Sequence, residues 1–276
     1  MMAMLKWDGH THTRFCYHGS DAASELYIDR AIELGFERYT LSEHPPLPAN
    51  YVDDASLFAE LAMPMEQLPD YFQYVKEMKE KYEGAIEITA GLELDYLQGH
   101  TDFTASIVDR WQHELQDVVY SVHYLPGVGG MRCIDFTPDD FKTNLLAYYG
   151  TMEKVVDEYY DHVEQAIAEA SKLPMRTRIG HINLIQKFQT VLPPLDEEQL
   201  NKRMRALLPL LAGSKVAVDI NTAGLRVATC GNAYVPPWFM QECISLGIAC
   251  VYGSDAHKPE QVGFGYDYYE QHYLKR

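Results

Sequence analysis

The sequence predicts a single α/β domain over residues 1–276, with seven strands closed into a (β/α) barrel. Three observations lead there. Seven short β-type segments alternate with helical patterns along the chain. The segments are rich in Val, Ile, Tyr and Thr, and several are almost continuously apolar, as in parallel strands covered on both faces. The turn after the first strand reads "GHTHTRF", where a doubly wound nucleotide-binding sheet would more often carry a glycine-rich phosphate loop. Seven repeats in 276 residues match a barrel better than an open sheet.

The elements follow in order. "LKWD" (5–8) is the first strand. "SDAASELYIDRAIELG" (20–35) has polar capping candidates in Ser20 and Asp21 and a terminating Gly35. "RYTLS" (38–42) is the second strand, and "LPDYFQYVKEMKEKYEG" (68–84) is a helix opened by Pro69 and closed by Gly84. "IEITAGLEL" (86–94) and "VVYSV" (118–122) are the third and fourth strands. "TPDDFKTNLLAYYG" (137–150) starts with Thr137 and Pro138, a cap and a first-turn proline. The long periodic "TMEKVVDEYYDHVEQAIAEASK" (151–172) leads to the fifth strand, "TRIG" (177–180). "LDEEQLNKRMRALLPLLAG" (195–213) precedes "VAVDI" (216–220), and "VPPWFMQECISLG" (235–247) precedes "IACVYGS" (248–254). No repeat, low-complexity stretch or linker interrupts the pattern.

Composition narrows the function. Lys and Arg number 23 against 40 Asp and Glu, a net charge of −17. Such a surface repels polyanions, so no nucleic-acid partner is expected; a small anionic substrate stays possible if bound dications reverse the field locally. No apolar run has the ~18 residues of a membrane span, and the start lacks a signal-peptide core, so a soluble cytoplasmic protein is expected. Cys16, Cys133, Cys230, Cys243 and Cys250 are odd in number and form no CxxC, which predicts reduced, mostly buried thiols. The oligomeric state is open.

The histidines carry the chemistry. His10, His12 and His18 crowd the first loop, and His10, His12, His44, His123, His181 and His257 each follow a predicted strand closely. Glu93 ends the third strand and Asp255 follows the seventh. In a barrel these positions converge on the C-terminal rim, where active sites lie. Neutral imidazole and carboxylate are ligands for divalent transition metals, and this set is too large for one tetrahedral ion. His100, His113, His162 and His272 fall in helices or tails and read as surface residues, and the Tyr-rich "EYYDH" and "YDYYEQHY" as packing and surface.

The motifs "DGHTHT", "SEH", "GLELD", "SVHYL", "GHINLI" and "GSDAH", in that order and across the whole chain, resemble those of the PHP (polymerase and histidinol phosphatase) superfamily. The closest resemblance is to the bacterial stand-alone histidinol-phosphate phosphatases, in which "NTAGLR" (221–226) also has a counterpart. The resemblance implies a distorted (β/α)7 TIM-like barrel with two or three divalent ions (Zn, Fe, Mn or Mg). It implies His10, His12, Glu93 and Asp255 on the first ion. A bridging Glu93 with His123 and His181 would hold the second, and His18, His44 and His257 the third. The one departure is Glu43 in "SEH", where many relatives have Asp.

Hydrolysis of a small phosphate ester, histidinol phosphate in histidine biosynthesis, is the implied activity. Paired dications can activate a bridging water and neutralise the phosphate. Asp255, His257 and Arg226 are the candidate catalytic residues. Arg226 is the leading candidate phosphate contact, since a guanidinium fits phosphate bidentately, with Lys187 and Arg132 as weaker candidates. "HPPLPANYVDD" (44–54) and "YLPGVGGMRCIDF" (124–136) are candidate substrate walls, with Asp135 and Phe136 suited to the cationic end of such a substrate. The competing readings are a PHP phosphoesterase on another small phosphate or a nucleic-acid 3′-end, a metal-dependent amidohydrolase, and a non-catalytic metal-binding protein. An amidohydrolase would more often bridge its ions with a carboxylated lysine, and no lysine stands at a strand end.

Overall fold

The computed structural model describes residues 5–274. The predicted strands are all present: β1 (Trp7–Asp8), β2 (Arg38–Glu43), β3 (Glu87–Asp95), β4 (Asp117–Ser121), β7 (Arg176–Ile179), β8 (Ala217–Asn221) and β9 (Cys250–Gly253). Between β4 and β7 lies a hairpin, β5 (Tyr124–Gly127) with β6 (Gly130–Cys133), paired antiparallel. The seven main strands run parallel in the order β1-β2-β3-β4-β7-β8-β9. Simple sequential order is what right-handed β-α-β units produce when each helix returns the chain one strand along.

The two edge strands meet and nearly close the barrel. Gly9 N donates to Tyr252 O at 2.8 Å, Asp255 N to His10 O at 2.7 Å and His12 N to Ala256 O at 3.0 Å. These bonds knit the first loop to the last one. The consequence is functional, because both loops carry candidate ligands. Asp255 takes part with a φ of 53°, a left-handed backbone that a non-glycine residue adopts only when its surroundings hold it there.

Helices cover the outside of the barrel. Thr137 caps its helix through a bond from Asp140 N, and Gly150, at φ 83°, ends that segment. Phe141–Leu146 within it winds as a π-helix. The helix predicted from residue 20 starts instead at Ser24, with Ala23 in the capping position and no side-chain cap. Ser20 is spent on a tight local turn, its Oγ accepting from Ala22 N. Two helices were not legible as periodic segments, Ala55–Leu61 and Thr101–Trp111. The first is short and follows a proline-rich loop, and its start is fixed by Asp54 Oδ1, which accepts from Ser56 N and Leu57 N.

Arg178, on β7, is 1% exposed. Its guanidinium donates to Asp117 Oδ1 at 2.6 Å and to Gly9 O, tying β7 to β4 and to the end of β1. Arg176 adds a second, longer contact to Asp117 at 3.5 Å. Removing one partner of a buried ion pair strands the other charge in low dielectric. Arg178→Met should therefore lower unfolding free energy by about 3–5 kcal/mol. Urea unfolding followed by circular dichroism measures this, and a loss below about 1 kcal/mol would mean that the pair does not tie the barrel together.

Candidate metal centre

The side chains that the strand ends deliver converge around Glu93. This residue is 1% exposed and ends β3 at the middle of the rim. One oxygen, Oε1, lies 2.9 Å from His181 Nε2 and 3.6 Å from His123 Nε2, and accepts from Ser121 Oγ at 2.7 Å. The other, Oε2, lies 3.1 Å from His10 Nε2, 3.4 Å from His12 Nε2 and 3.5 Å from His44 Nδ1. Asp255 Oδ1 joins this second group, 3.2 Å from His12 Nε2 and 3.7 Å from His10 Nε2. Glu93 thus faces two sets of imidazoles, one with each oxygen.

Nitrogens face nitrogens throughout. His123 Nε2 and His181 Nε2 are 3.0 Å apart, and His18 Nε2 and His257 Nε2 are 3.2 Å apart. His10 Nε2 and His12 Nε2 are buried without a hydrogen-bond partner. Converging lone pairs in a buried site repel unless a cation lies between them. Three groups have ligand atoms mutually within 4.8 Å: His10, His12 and Asp255; Glu93, His123 and His181; and His12, Cys16, His44 and His257. The second has the residues of the second set expected from the sequence, and the first has those of the first set without Glu93. The third brings the Cys16 thiol close to His44 and His257, while His18 meets His257 from the solvent side.

The electrostatics agree. Burial works against a charge on His10, yet Glu93, Asp219 and Asp255 lift its pKa to about 10. Burial likewise opposes ionisation of Glu93, but His10, His44 and His123 hold it well below the usual carboxylate range. Asp255 is held down in the same way, against burial, chiefly by His10 and His12. His44 and His257 are pushed well below the ordinary imidazole range by burial and by neighbouring imidazoles. Against burial, His12 and His123 are raised like His10 by their neighbouring carboxylates, so the carboxylates of this centre demand positive charge while His44 and His257 resist carrying it, an imbalance that a divalent ion would resolve.

Behind the ligands stands a shell of carboxylates that the sequence did not reveal. Asp219 Oδ2 takes the Nδ1–H of His10 at 2.8 Å, and Asp95 Oδ1 that of His123 at 2.6 Å. Glu43 faces His12 Nδ1 at 3.6 Å and also accepts from Thr13 N. The two hydrogen-bonded pairs, on His10 and His123, fix the tautomer that leaves Nε2 free for a metal. Asn221 bridges the set, its Nδ2 donating to Asp219 Oδ2 and Asp255 Oδ2, both at 3.2 Å. Asp219 and Asn221 are β8 residues two apart, Glu93 and Asp95 are β3 residues two apart, and the period-two alternation puts each pair on one face. That spacing was the available signal.

The other candidates fall in different places. Arg226 lines the cavity over this centre, but its terminal nitrogens donate to Ser254 O at 2.6 Å and Asp255 O at 2.5 Å. It therefore braces the strained loop that presents Asp255. Lys187 also lines the cavity, with Nζ donating to Asp135 Oδ2 at 2.8 Å. Burial opposes both charges of this pair, but each partner stabilises the other, so Asp135 lies below and Lys187 above its ordinary pKa. Arg132 does not line the cavity: it sits on the β5–β6 hairpin, and its Nε donates to Val128 O at 2.7 Å. Hairpin pairing points it away from the centre.

His162 corrects the surface reading. It is 1% exposed, its Nδ1 3.3 Å from Tyr124 O and its Nε2 3.3 Å from Glu158. Its neighbours in "EYYDH" support the site from outside the barrel. Tyr159 OH donates to His181 O, and Tyr160 OH donates to Asn183 Oδ1 at 2.8 Å.

The cavity has a volume of about 420 Å³. The β5–β6 segment contributes Tyr124, Cys133, Asp135 and Phe136, as expected of a wall. Of the 44–54 loop only His44 reaches it; the wall there is the following helix, through Leu57, Glu60 and Leu61. All five cysteines are buried and unpaired. Among the described residues no helix is long and apolar enough to cross a membrane.

Fold and site together define a β/α-barrel protein with a buried centre for divalent metal ions at its C-terminal rim. The model of the PHP domain family matches residues 8–223, and the chain belongs to that family. It is 33% identical to a histidinol-phosphatase of Bacillus subtilis, over 96% of this chain and 98% of the other. It is 30% identical to a probable histidinol-phosphatase of Deinococcus radiodurans, over 93% and 88% of the two chains. A Listeria monocytogenes structure, provisionally named histidinol phosphatase HisK, superposes with a TM-score of 0.90 at 36% identity, covering 96% of this chain and all of that one. A Lactococcus lactis histidinol phosphate phosphatase, solved with zinc, L-histidinol and phosphate, shares the fold at 18% identity with a TM-score of 0.72, over 92% and 87% of the chains.

Two variants probe the centre. Asp219→Asn should weaken metal binding about 10- to 100-fold, because it removes the anion that orients His10. Chelator competition followed by metal analysis reads the change, and unaltered affinity would remove Asp219 from the supporting shell. Glu93→Gln should lose both metal content and turnover, since it removes the anion between two imidazole sets. Full metal content in that variant would mean that Glu93 does not bridge.

Proposed function

We propose that this protein is a metal-dependent phosphomonoester hydrolase that converts L-histidinol phosphate and water into L-histidinol and phosphate, a step of histidine biosynthesis. The observation that carries the reading is Glu93, with its two oxygens turned to two sets of converging imidazole nitrogens. Substrate identity rests on the similarity to histidinol-phosphatases along nearly the whole chain. The cavity suits a small molecule.

His10, His12, Glu93 and Asp255 would hold one ion. Glu93, His123 and His181 would hold a second, and His18, His44 and His257 a third; zinc, iron, manganese and magnesium all remain candidates. When bound, the ions would supply a nucleophilic hydroxide near neutral pH and neutralise the phosphate. The protein's own groups do the rest. Asp219 and Asp95 keep His10 and His123 in the ligating tautomer. Arg226 holds the loop of Asp255, and its remaining N–H donors lie at the cavity wall for a phosphate oxygen. Lys187 keeps further donors beyond the one given to Asp135. Against burial, Asp255 is held ionised by His10 and His12, which suits its carboxylate to ligating an ion rather than to protonating the departing alkoxide. Glu93 would take the bridging position, while Lys187 is committed to Asp135, which disfavours the amidohydrolase reading. Five reduced thiols suit a cytoplasmic setting.

The test is kcat/KM for L-histidinol phosphate against p-nitrophenyl phosphate, before and after chelation. The natural ester should be strongly preferred, and chelation should abolish both activities. No preference would overturn the substrate assignment. Arg226→Ala should lower kcat/KM about 100- to 1000-fold, the usual loss of a charge-assisted transition-state contact. Activity within about threefold of wild type would place the phosphate contact elsewhere.

A further inference from the structure

Four carboxylates line the cavity: Glu60, Glu93, Asp135 and Asp255. Glu93 and Asp255 belong to the metal centre. Asp135, the acidic residue that the sequence pointed to for the cationic end of a substrate, is committed to Lys187 at 2.8 Å. Glu60 is left. Among the described residues, no hydrogen bond or ion pair engages its carboxylate.

The position of Glu60 is fixed although its side chain is exposed. It lies near the end of the Ala55–Leu61 helix, and its carbonyl accepts the Nδ1–H of His18 at 2.9 Å. That bond ties the helix to the histidine cluster with His257. Beneath the helix, Leu57 packs in a small buried cluster with Leu47, Tyr51, Val52, Leu97 and Tyr124. The helix is therefore a seated wall of the cavity. Leu57 and Leu61 supply apolar surface beside the carboxylate.

We propose that Glu60 is the specificity-determining residue for the ammonium group of the substrate, which it receives as an ion pair at the mouth of the cavity. The inference rests on the histidinol phosphate reading. In that ester the ammonium sits two carbons from the ester oxygen, so a phosphate at the metal centre leaves the ammonium near the cavity wall. Phosphate esters without the amine cannot form the pair. The wild type thus selects for amine-bearing esters through ground-state binding, which acts mainly on KM.

The experiment compares L-histidinol phosphate with imidazolylpropyl phosphate, the same ester without the amine, in wild type, Glu60→Gln and Glu60→Lys, with metal content measured throughout. The wild type should prefer the amine-bearing ester. Glu60→Gln should cut that preference about tenfold or more, chiefly through KM, as expected for loss of a charge-assisted hydrogen bond. Glu60→Lys should cut it further, by repulsion. A preference kept to within about threefold in both variants would overturn the proposal. So would an equal loss on both esters, which would mean that Glu60 only seats its helix. If the wild type hydrolyses p-nitrophenyl phosphate but neither imidazolyl ester, the substrate reading itself fails, and this inference with it.

Discussion

The carboxylate of Glu93, almost wholly removed from water, sets the terms for everything around it. A buried anion costs several kcal/mol unless positive charge lies close by. No lysine or arginine contacts it among the described residues; its charged-type neighbours are His10, His12, His44, His123 and His181. Protons on these rings would answer the charge only by packing cations against one another. Divalent ions answer it with fewer centres and use the imidazole lone pairs as well. The centre is therefore a charge balance that is complete only with metal.

The barrel makes that balance geometrically possible. Each parallel strand delivers its last residues to the same rim, so ligands far apart in the chain arrive within a few ångströms of one another. The closure between β9 and β1 then brings the two most ligand-rich loops together. His10 gives its carbonyl to Asp255 N, and the two side chains face the same site. Arg226 holds the other side of this junction through the carbonyls of Ser254 and Asp255. The left-handed backbone of Asp255 is held between these contacts.

Support extends outward in layers. Asp219, Asp95, Glu43 and Asn221 orient the ligands, and the Tyr159 and Tyr160 hydroxyls hold the His181 loop from the helix outside. The open side of the cavity is built differently, from the β5–β6 hairpin and the Ala55–Leu61 helix. Neither belongs to the repeating strand-helix unit. The ring of candidate ligands is thus set by the barrel, while these two walls of the cavity are set by insertions.

The sequence by itself determined the seven strands, their parallel arrangement and the gathering of His, Glu and Asp residues at their ends. Apolar runs and strand-end histidines are local features, and the barrel has one rim on which such ends can meet. It did not reveal the insertions or the supporting carboxylates. Ala55–Leu61 is too short to show a period, and Asp95 and Asp219 read as ordinary strand residues until a partner 28 or 209 positions away is placed beside them. The same holds for Arg132, which a hairpin turns away, for His162, which a helix buries, and for Asp135, whose charge Lys187 has already taken. These outcomes depend on which charges become neighbours after the chain closes, and only the tertiary structure decides that.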